Sequence, residues 1–302
     1  MLTVISLTSL TSPAAAAVFS DWREVRLVPM TAPAAGTTIA WAELGTGPTL
    51  LMLNGTGSPM SEWDPALLGT LAATHRVIVF DYPGLGLSGP APSQWRFPAA
   101  ADWVAKFIDQ VSPGVAVDVL GWSMGGFIAQ QIAIRHPTAI RRLILAGTNP
   151  GGDDAVLGPL WVQESDSAAD GSDASYLKTN YPHSKQAQAR GRAFIHRLEA
   201  AHASGAYPDG VVPDKTYNAM VAAEDPWMRS DANAKRLRNV HIRTLVITGA
   251  RDVITPPANS RYLARLLPDA TLALVPNAGH SFLFQKPDAV ASLIKRFLDA
   301  DS

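Results

Sequence analysis

The chain of 302 residues contains no cysteine. Disulfides, thiolate metal sites and cysteine nucleophiles are excluded together, so any nucleophile must be of another kind. Charge is also sparse. Charged residues make up 17% of the chain, and 25 Lys+Arg against 26 Asp+Glu leave a formal net charge of -1. No basic stripe of the sort that binds nucleic acid or acidic lipid is present, and the expected partner is a small molecule. The seven histidines are scattered, with no His/Asp/Glu cluster at metal-ligand spacing. No glycine loop matches a phosphate-binding fingerprint. Neither a metal nor a cofactor is expected.

Residues 1–19 carry no charge and include Ala14-Ala15-Ala16-Ala17, similar to a signal-peptidase site, but they lack the usual basic start. Two readings stand: an incomplete export signal, and hence a secreted protein, or a disordered arm on a cytoplasmic one. Pro13 and the Ser/Thr content argue against a membrane span.

With 47% hydrophobic residues the chain can bury one large core. Short apolar runs alternate with helical segments, the pattern of a mostly parallel sheet with helices on both faces. Eight strands are predicted: Glu24–Met30, Thr38–Leu44, Thr49–Asn54, Arg76–Asp81, Val115–Trp122, Arg142–Ala146, Arg243–Thr248 and Thr271–Val275. The first two, joined by a turn around Ala32–Gly36, read as an edge hairpin. Near-continuous apolar stretches such as Leu50–Leu53 and Val77–Phe80 fit strands buried on both faces. Residues 149–239 hold helical stretches and no convincing strand, which marks an inserted helical subdomain within a core of 20–148 and 240–302. Its Trp161, Phe194, Met220, Trp227 and Met228 either line a pocket or form the insertion's own small core. Arg190, Arg192 and Arg197 read as a solvated helix face.

Gly121-Trp122-Ser123-Met124-Gly125 follows an apolar strand and opens a segment with helical spacing. This is the setting of a nucleophile elbow, in which glycines remove side chains that would collide and the helix N-terminus favours developing negative charge. Its bland alternative is a glycine-rich turn with an ordinary helix-capping serine. Asp252 follows the seventh predicted strand and His280 the last, in the order Ser, Asp, His. Each alone passes for a turn or surface residue. Three such groups at the carboxyl ends of three strands point instead to Ser123 as nucleophile, His280 as general base and Asp252 as its orienting acid. Asp153 and Asp154 are the alternative acids, after strand six.

With these motifs the chain resembles the α/β-hydrolase superfamily, near the serine esterases, enol-lactonases and cofactor-free haloperoxidase-like enzymes. The resemblance spans roughly Arg23 to Ala300 and includes Asp81-Tyr82-Pro83-Gly84-Leu85-Gly86-Leu87-Ser88 and His136-Pro137. It implies that 149–239 is a cap over the active site and that the backbone N–H groups of Thr56 and Met124 form an oxyanion hole. Asp81 and His136 read as structural. Where the family has His-Gly after strand three, Asn54-Gly55 stands here, so Asn54 is either a turn residue or a substrate contact. Trp122, Trp161, Trp227, Met228 and Phe282 complete the candidate substrate-binding set. The implied activity is hydrolysis of an uncharged carboxylic ester or lactone through an acyl-enzyme. Carbon–carbon bond hydrolysis, or perhydrolase and haloperoxidase-like chemistry, is the alternative, and a non-catalytic ligand-binding protein a further one.

Overall fold

The computed structural model describes residues 4–5, 19–34, 36–167 and 171–300. The question of an export signal or arm falls largely on residues outside these. The strands are β1 (Val4–Ile5), β2 (Met30–Ala34), β3 (Thr37–Leu44), β4 (Thr49–Leu53), β5 (Arg76–Phe80), β6 (Val117–Trp122), β7 (Ile140–Ala146), β8 (Thr244–Gly249) and β9 (Ala270–Val275). The helices are α1 (Pro65–Ala72), α2 (Phe97–Val111), α3 (Met124–Arg135), α4 (Leu160–Ser167), α5 (Asp173–Asn180), α6 (Lys185–Ala203), α7 (Asp214–Met228), α8 (Ala232–Leu237), α9 (Pro257–Leu266), α10 (Phe282–Gln285) and α11 (Pro287–Asp299). One open sheet runs β1-β9-β8-β7-β6-β4-β5-β3-β2, which is the expected eight strands plus the two-residue β1 at one edge. Among the described strands, only the β2–β3 and β3–β5 pairs are antiparallel.

Burial on both faces explains why the central strands read as unbroken apolar runs. Leu50, Leu51, Met52 and Leu53 are all fully buried. Successive side chains point to opposite faces: Leu51 and Leu53 join α2, α3 and α9 in one apolar core. Leu50 and Met52 join α1, α10 and α11 in the other. Each such leucine removed from water contributes about 1.5–3 kcal/mol.

The edge hairpin is present, but its first strand is shifted. In place of a strand from Glu24 to Met30 there is a short helix, Trp22–Glu24, and an extended segment. Val25 and Leu27 alternate as a strand would, yet Leu27 N–H donates to the Ala206 carbonyl at 2.9 Å, a loop beyond α6. The strand starts at Met30 and runs through Pro33, which a sequence reading assigns to the turn. Proline is tolerated because β2 is an edge strand and needs no donor on its outer side.

Between β7 and β8 the described residues form five helices, α4 to α8. They do not form an isolated core. Trp227 packs on Phe127 of α3 and Phe97 of α2, with ring centroids 4.9 and 5.5 Å away. Phe194 of α6 stacks on Phe284 of α10 at 4.5 Å. Arg197 departs from the solvated-face reading: its guanidinium donates two hydrogen bonds, 2.8 and 2.6 Å, to the buried Asp64. Asp64 also caps α1 by accepting from Ala66 N–H. Burial pushes the Asp64 carboxyl upward, and the Arg197 hydrogen bonds oppose that push. Arg192 is exposed, as expected of a helix's outer face.

Candidate active site

The parallel arrangement of β6, β7, β8 and β9 places their carboxyl ends along one edge of the sheet. Ser123 lies at the first of these ends. Its backbone has φ 54° and ψ −121°, a region that costs a non-glycine residue about 1–3 kcal/mol. The surroundings enforce it. A Cβ on Gly121 would strike the Gly125 carbonyl, and one on Gly125 would strike the carbonyls of Leu53 and Asn54. Both positions therefore require glycine, and α3 can pass close to the end of β4. Ser123 N–H donates to the Ala146 carbonyl at 2.9 Å. Its hydroxyl makes no capping bond, unlike an ordinary N-cap serine, and the residue is partly exposed between buried neighbours.

Asp252 lies beyond β8 and His280 beyond β9, and both are buried. His280 Nδ1 stands 2.9 Å from Asp252 Oδ2. A carboxylate only accepts, so Nδ1 carries the proton and Nε2 of the neutral ring is left as an acceptor. The same oxygen accepts from the hydroxyls of Thr255 at 2.9 Å and Thr248 at 3.2 Å. The other accepts from the N–H groups of Ile254 and Thr255, each at 2.9 Å. Asp153 and Asp154 are exposed on the loop after β7, and Asp153 N–H donates to Asp231.

Trp122 and Gly147 connect the serine to the histidine. Trp122 Nε1 donates to the His280 carbonyl at 3.2 Å, and the two rings lie 5.3 Å apart, inclined by 34°. Gly147 follows Ala146, the acceptor of Ser123 N–H, and a Cβ there would lie 3.4 Å from the imidazole. Phe282 is fully buried and meets the same glycine, so it backs the histidine rather than facing a cleft.

Met124 is the first residue of α3, where backbone N–H groups have no acceptor within the helix. Opposite it runs the loop after β4. Asn54 is 1% exposed, and its side chain serves that loop: Nδ2 donates to the Pro59 carbonyl at 2.9 Å and Oδ1 accepts from Gly55 N–H at 3.0 Å. These two bonds fit the turn-residue reading of Asn54. A Cβ on Gly55 would lie 3.5 Å from Ser123 Cβ, so this loop borders the serine. Thr56 is partly buried, and its hydroxyl donates to Glu224 Oε1 on α7 at 2.7 Å.

Trp227 is 7% exposed, with its ring in the core and Nε1 donating to Asn149 Oδ1 at 3.0 Å. Its large apolar ring is better satisfied by the α2–α3 surface than by a water-filled cleft. Met228 packs half-buried against that core. Trp161 is 38% exposed and lines a surface depression of about 290 Å³ with Glu164, Ser165, Ser175 and Lys178. Asp81 and His136 are structural in their contacts. Asp81 accepts from Met60 and Leu87 N–H at 2.6 and 2.8 Å, and His136 pairs with Asp102 at 2.7 Å. Sequence reading missed Glu224, Thr248 and Thr255. The two threonines flank Asp252 in the chain, and their spacing offered a local signal; Glu224 offered none.

The sequence profile of the α/β hydrolase fold matches residues 48–287. The chain belongs to the α/β hydrolase fold family. It is 31% identical over 274 residues to polyketide synthase ThaQ of Burkholderia thailandensis, covering 84% of this chain but only 12% of that far longer one. It is 30% identical over 262 residues to pimeloyl-[acyl-carrier protein] methyl ester esterase of Neisseria meningitidis, covering 82% of this chain and 76% of the esterase. An α/β hydrolase fold protein from Chitinophaga pinensis superposes with a TM-score of 0.80 at 25% identity, covering 93% of this chain and all of that one. Among the described residues of this α/β hydrolase, no helix is long and apolar enough to cross a membrane.

Proposed function

We propose that this α/β hydrolase cleaves a carboxylic ester or lactone through an acyl-enzyme on Ser123. The observation that carries the reading is the strained, uncapped Ser123 at the head of α3, beside a buried His280–Asp252 pair on the neighbouring strand ends. In the proposed reaction Ser123 Oγ attacks the carbonyl carbon while His280 Nε2 takes its proton. Asp252 holds the tautomer and stabilises the imidazolium. The leaving alcohol takes that proton, and water, activated by the same ring, releases the acid. The N–H groups of Thr56 and Met124 stabilise the oxyanion, each contributing about 3 kcal/mol to the transition state. Similarity to an esterase over most of both chains supports ester chemistry in particular.

In this reading α4 to α8 cap the site and set substrate choice. Tyr217, Val221 and Glu224 share one face of α7, at helical spacing. Tyr217 and Val221 are 38% and 43% exposed, and a Cβ on Gly57 would press on the Tyr217 ring. Tyr217, Val221 and the Gly55–Ser58 loop form walls for an uncharged acyl group, beside the candidate set Trp122, Trp161, Trp227, Met228 and Phe282.

A fluorophosphonate probe tests the mechanism. It is expected to add to Ser123, located by peptide mass spectrometry, and to leave Ser123→Ala unlabelled. A folded wild-type protein that resists the probe while a known serine esterase reacts would count against the reading and favour a ligand-binding role.

A further inference from the structure

The loop after β4 and the head of α3 are separate pieces of chain, yet an oxyanion hole needs one N–H from each at a fixed separation. Donor placement matters at the ångström scale, since a misplacement of about 1 Å costs about a hundredfold in rate. One helix touches both pieces. On its Glu224 side, α7 accepts the Thr56 hydroxyl hydrogen bond at 2.7 Å. Two turns before that, Tyr217 lies against Gly57, whose φ of 68° admits no bulkier residue without strain. Three residues beyond Glu224, Trp227 is clamped on Phe127 at 4.9 Å and donates to Asn149 at 3.0 Å. Phe127 stands one turn into α3 from Met124, and Asn149 is itself tied to α3, since its carbonyl accepts from Gln130 Nε2 at 3.0 Å.

We infer that Glu224 is a positioning residue for the oxyanion hole, acting through the Thr56 hydroxyl so that α7 holds the Gly55–Ser58 loop at a set distance from the head of α3. The inference rests on the serine-hydrolase reading above. The rigid contact is Trp227 on α3, the adjustable one is the hydrogen bond to Thr56, and the inserted segment thereby sets rate as well as substrate choice. Asn54 fixes the start of the loop through Pro59 and Gly55. Thr56, two residues on, lies within a turn closed by Ser58 N–H on the Gly55 carbonyl at 3.3 Å, and its hydroxyl ties that turn to a partner 168 positions away.

The test uses the full chain and 4-nitrophenyl acetate, whose small acyl group makes little use of the cap. Glu224→Ala and Thr56→Val, which keeps the backbone N–H, are each expected to lower kcat about 10- to 100-fold with KM within about threefold. Glu224→Gln retains an acceptor and should recover most of that loss. The Glu224→Ala/Thr56→Val double variant should be no slower than the slower single one, because both remove the same contact. Thermal midpoints accompany each variant. If Glu224→Ala fails to fold, Thr56→Val against wild type decides. Losses confined to KM, additive losses, or a Glu224→Gln as slow as Glu224→Ala would overturn the inference. Ser123→Ala separates the two levels: activity surviving there sinks the serine-hydrolase reading, whereas an inactive Ser123→Ala beside a wild-type kcat in Thr56→Val sinks only the role of Glu224.

Discussion

The loops after β8 and after β4 both present groups to the same strand ends, but they are held in different ways. The acid loop is self-contained: Asp252 accepts from Thr248, Ile254 and Thr255, all within four residues of it. The loop after β4 is braced internally by Asn54 on Gly55 and Pro59 and by a weaker 3.3 Å Ser58–Gly55 turn bond, and at Thr56 it leans on α7. A group whose charge is constant through the reaction can be fixed locally by a dense set of donors. In the proposed reaction, a group that must meet a charge appearing only in the transition state is placed relative to a second chain segment, the task inferred above for α7.

The largest expected effect removes what both loops serve. Ser123→Ala or His280→Ala should lower kcat by about 10⁴ to 10⁶, and the double variant should be little worse than either, as members of one unit behave. Near-additive losses in single-turnover kinetics would show that the two residues do not act together. Asp252→Asn comes next, with a loss of about 10⁴ or somewhat less, because the amide favours the wrong imidazole tautomer. Its folding midpoint should move little, since the retained oxygen still accepts from the Ile254 and Thr255 N–H groups while the amide NH2 can donate to the two threonine hydroxyls. A nearly silent Asp252→Asn with a crippled Asp153→Asn would move the acid to the loop after β7 and end the comparison.

The spacer itself is tested by stability. Trp227→Ala should cost about 3–5 kcal/mol in denaturant unfolding, the range for a buried aromatic truncated in a packed core. Trp161→Ala, on the exposed side of α4, should stay within about 0.5 kcal/mol. Equal costs would mean that α7 is not anchored on α3. The smallest effect concerns a surface pair away from both loops. The Arg135 hydrogen bond, with help from His136, holds the Asp102 carboxyl below its ordinary range. The native state therefore favours the ionised form, and that stability is present above the ordinary carboxylate pKa and lost as pH falls through the lowered one. Asp102→Asn should flatten the acid side of the stability profile slightly, the carboxylate being 36% exposed and screened by solvent.

The parts of the fold legible in the sequence are those whose cause is local. Leu50–Leu53 and Val77–Phe80 announce buried strands because both faces of the sheet are covered, and Gly121 and Gly125 announce the elbow because the close approach admits no side chain. Val25–Leu27 misled because period-two burial arises equally from an extended segment lying on a helical layer. In the inserted segment, Trp161 and Trp227 are the same residue type on similar helices, and only the packing partners, distant in sequence, put one in the core and one on the surface. Arg197 was illegible for the same reason, its acid being 133 residues away.

Pro33 bears on the molecule's life in a crowded solution. A terminal strand offers neighbouring molecules a ready row of backbone donors and acceptors, the template from which fibrous assemblies grow. β2 is five residues long with a proline at its fourth, so the row is brief and lacks one donor. A second copy arriving in register finds its hydrogen-bond ladder interrupted before it has gained a turn's worth of contacts. The residue that blurred the strand to a reader of the sequence is thus also the one that breaks the outer row of donors on this edge.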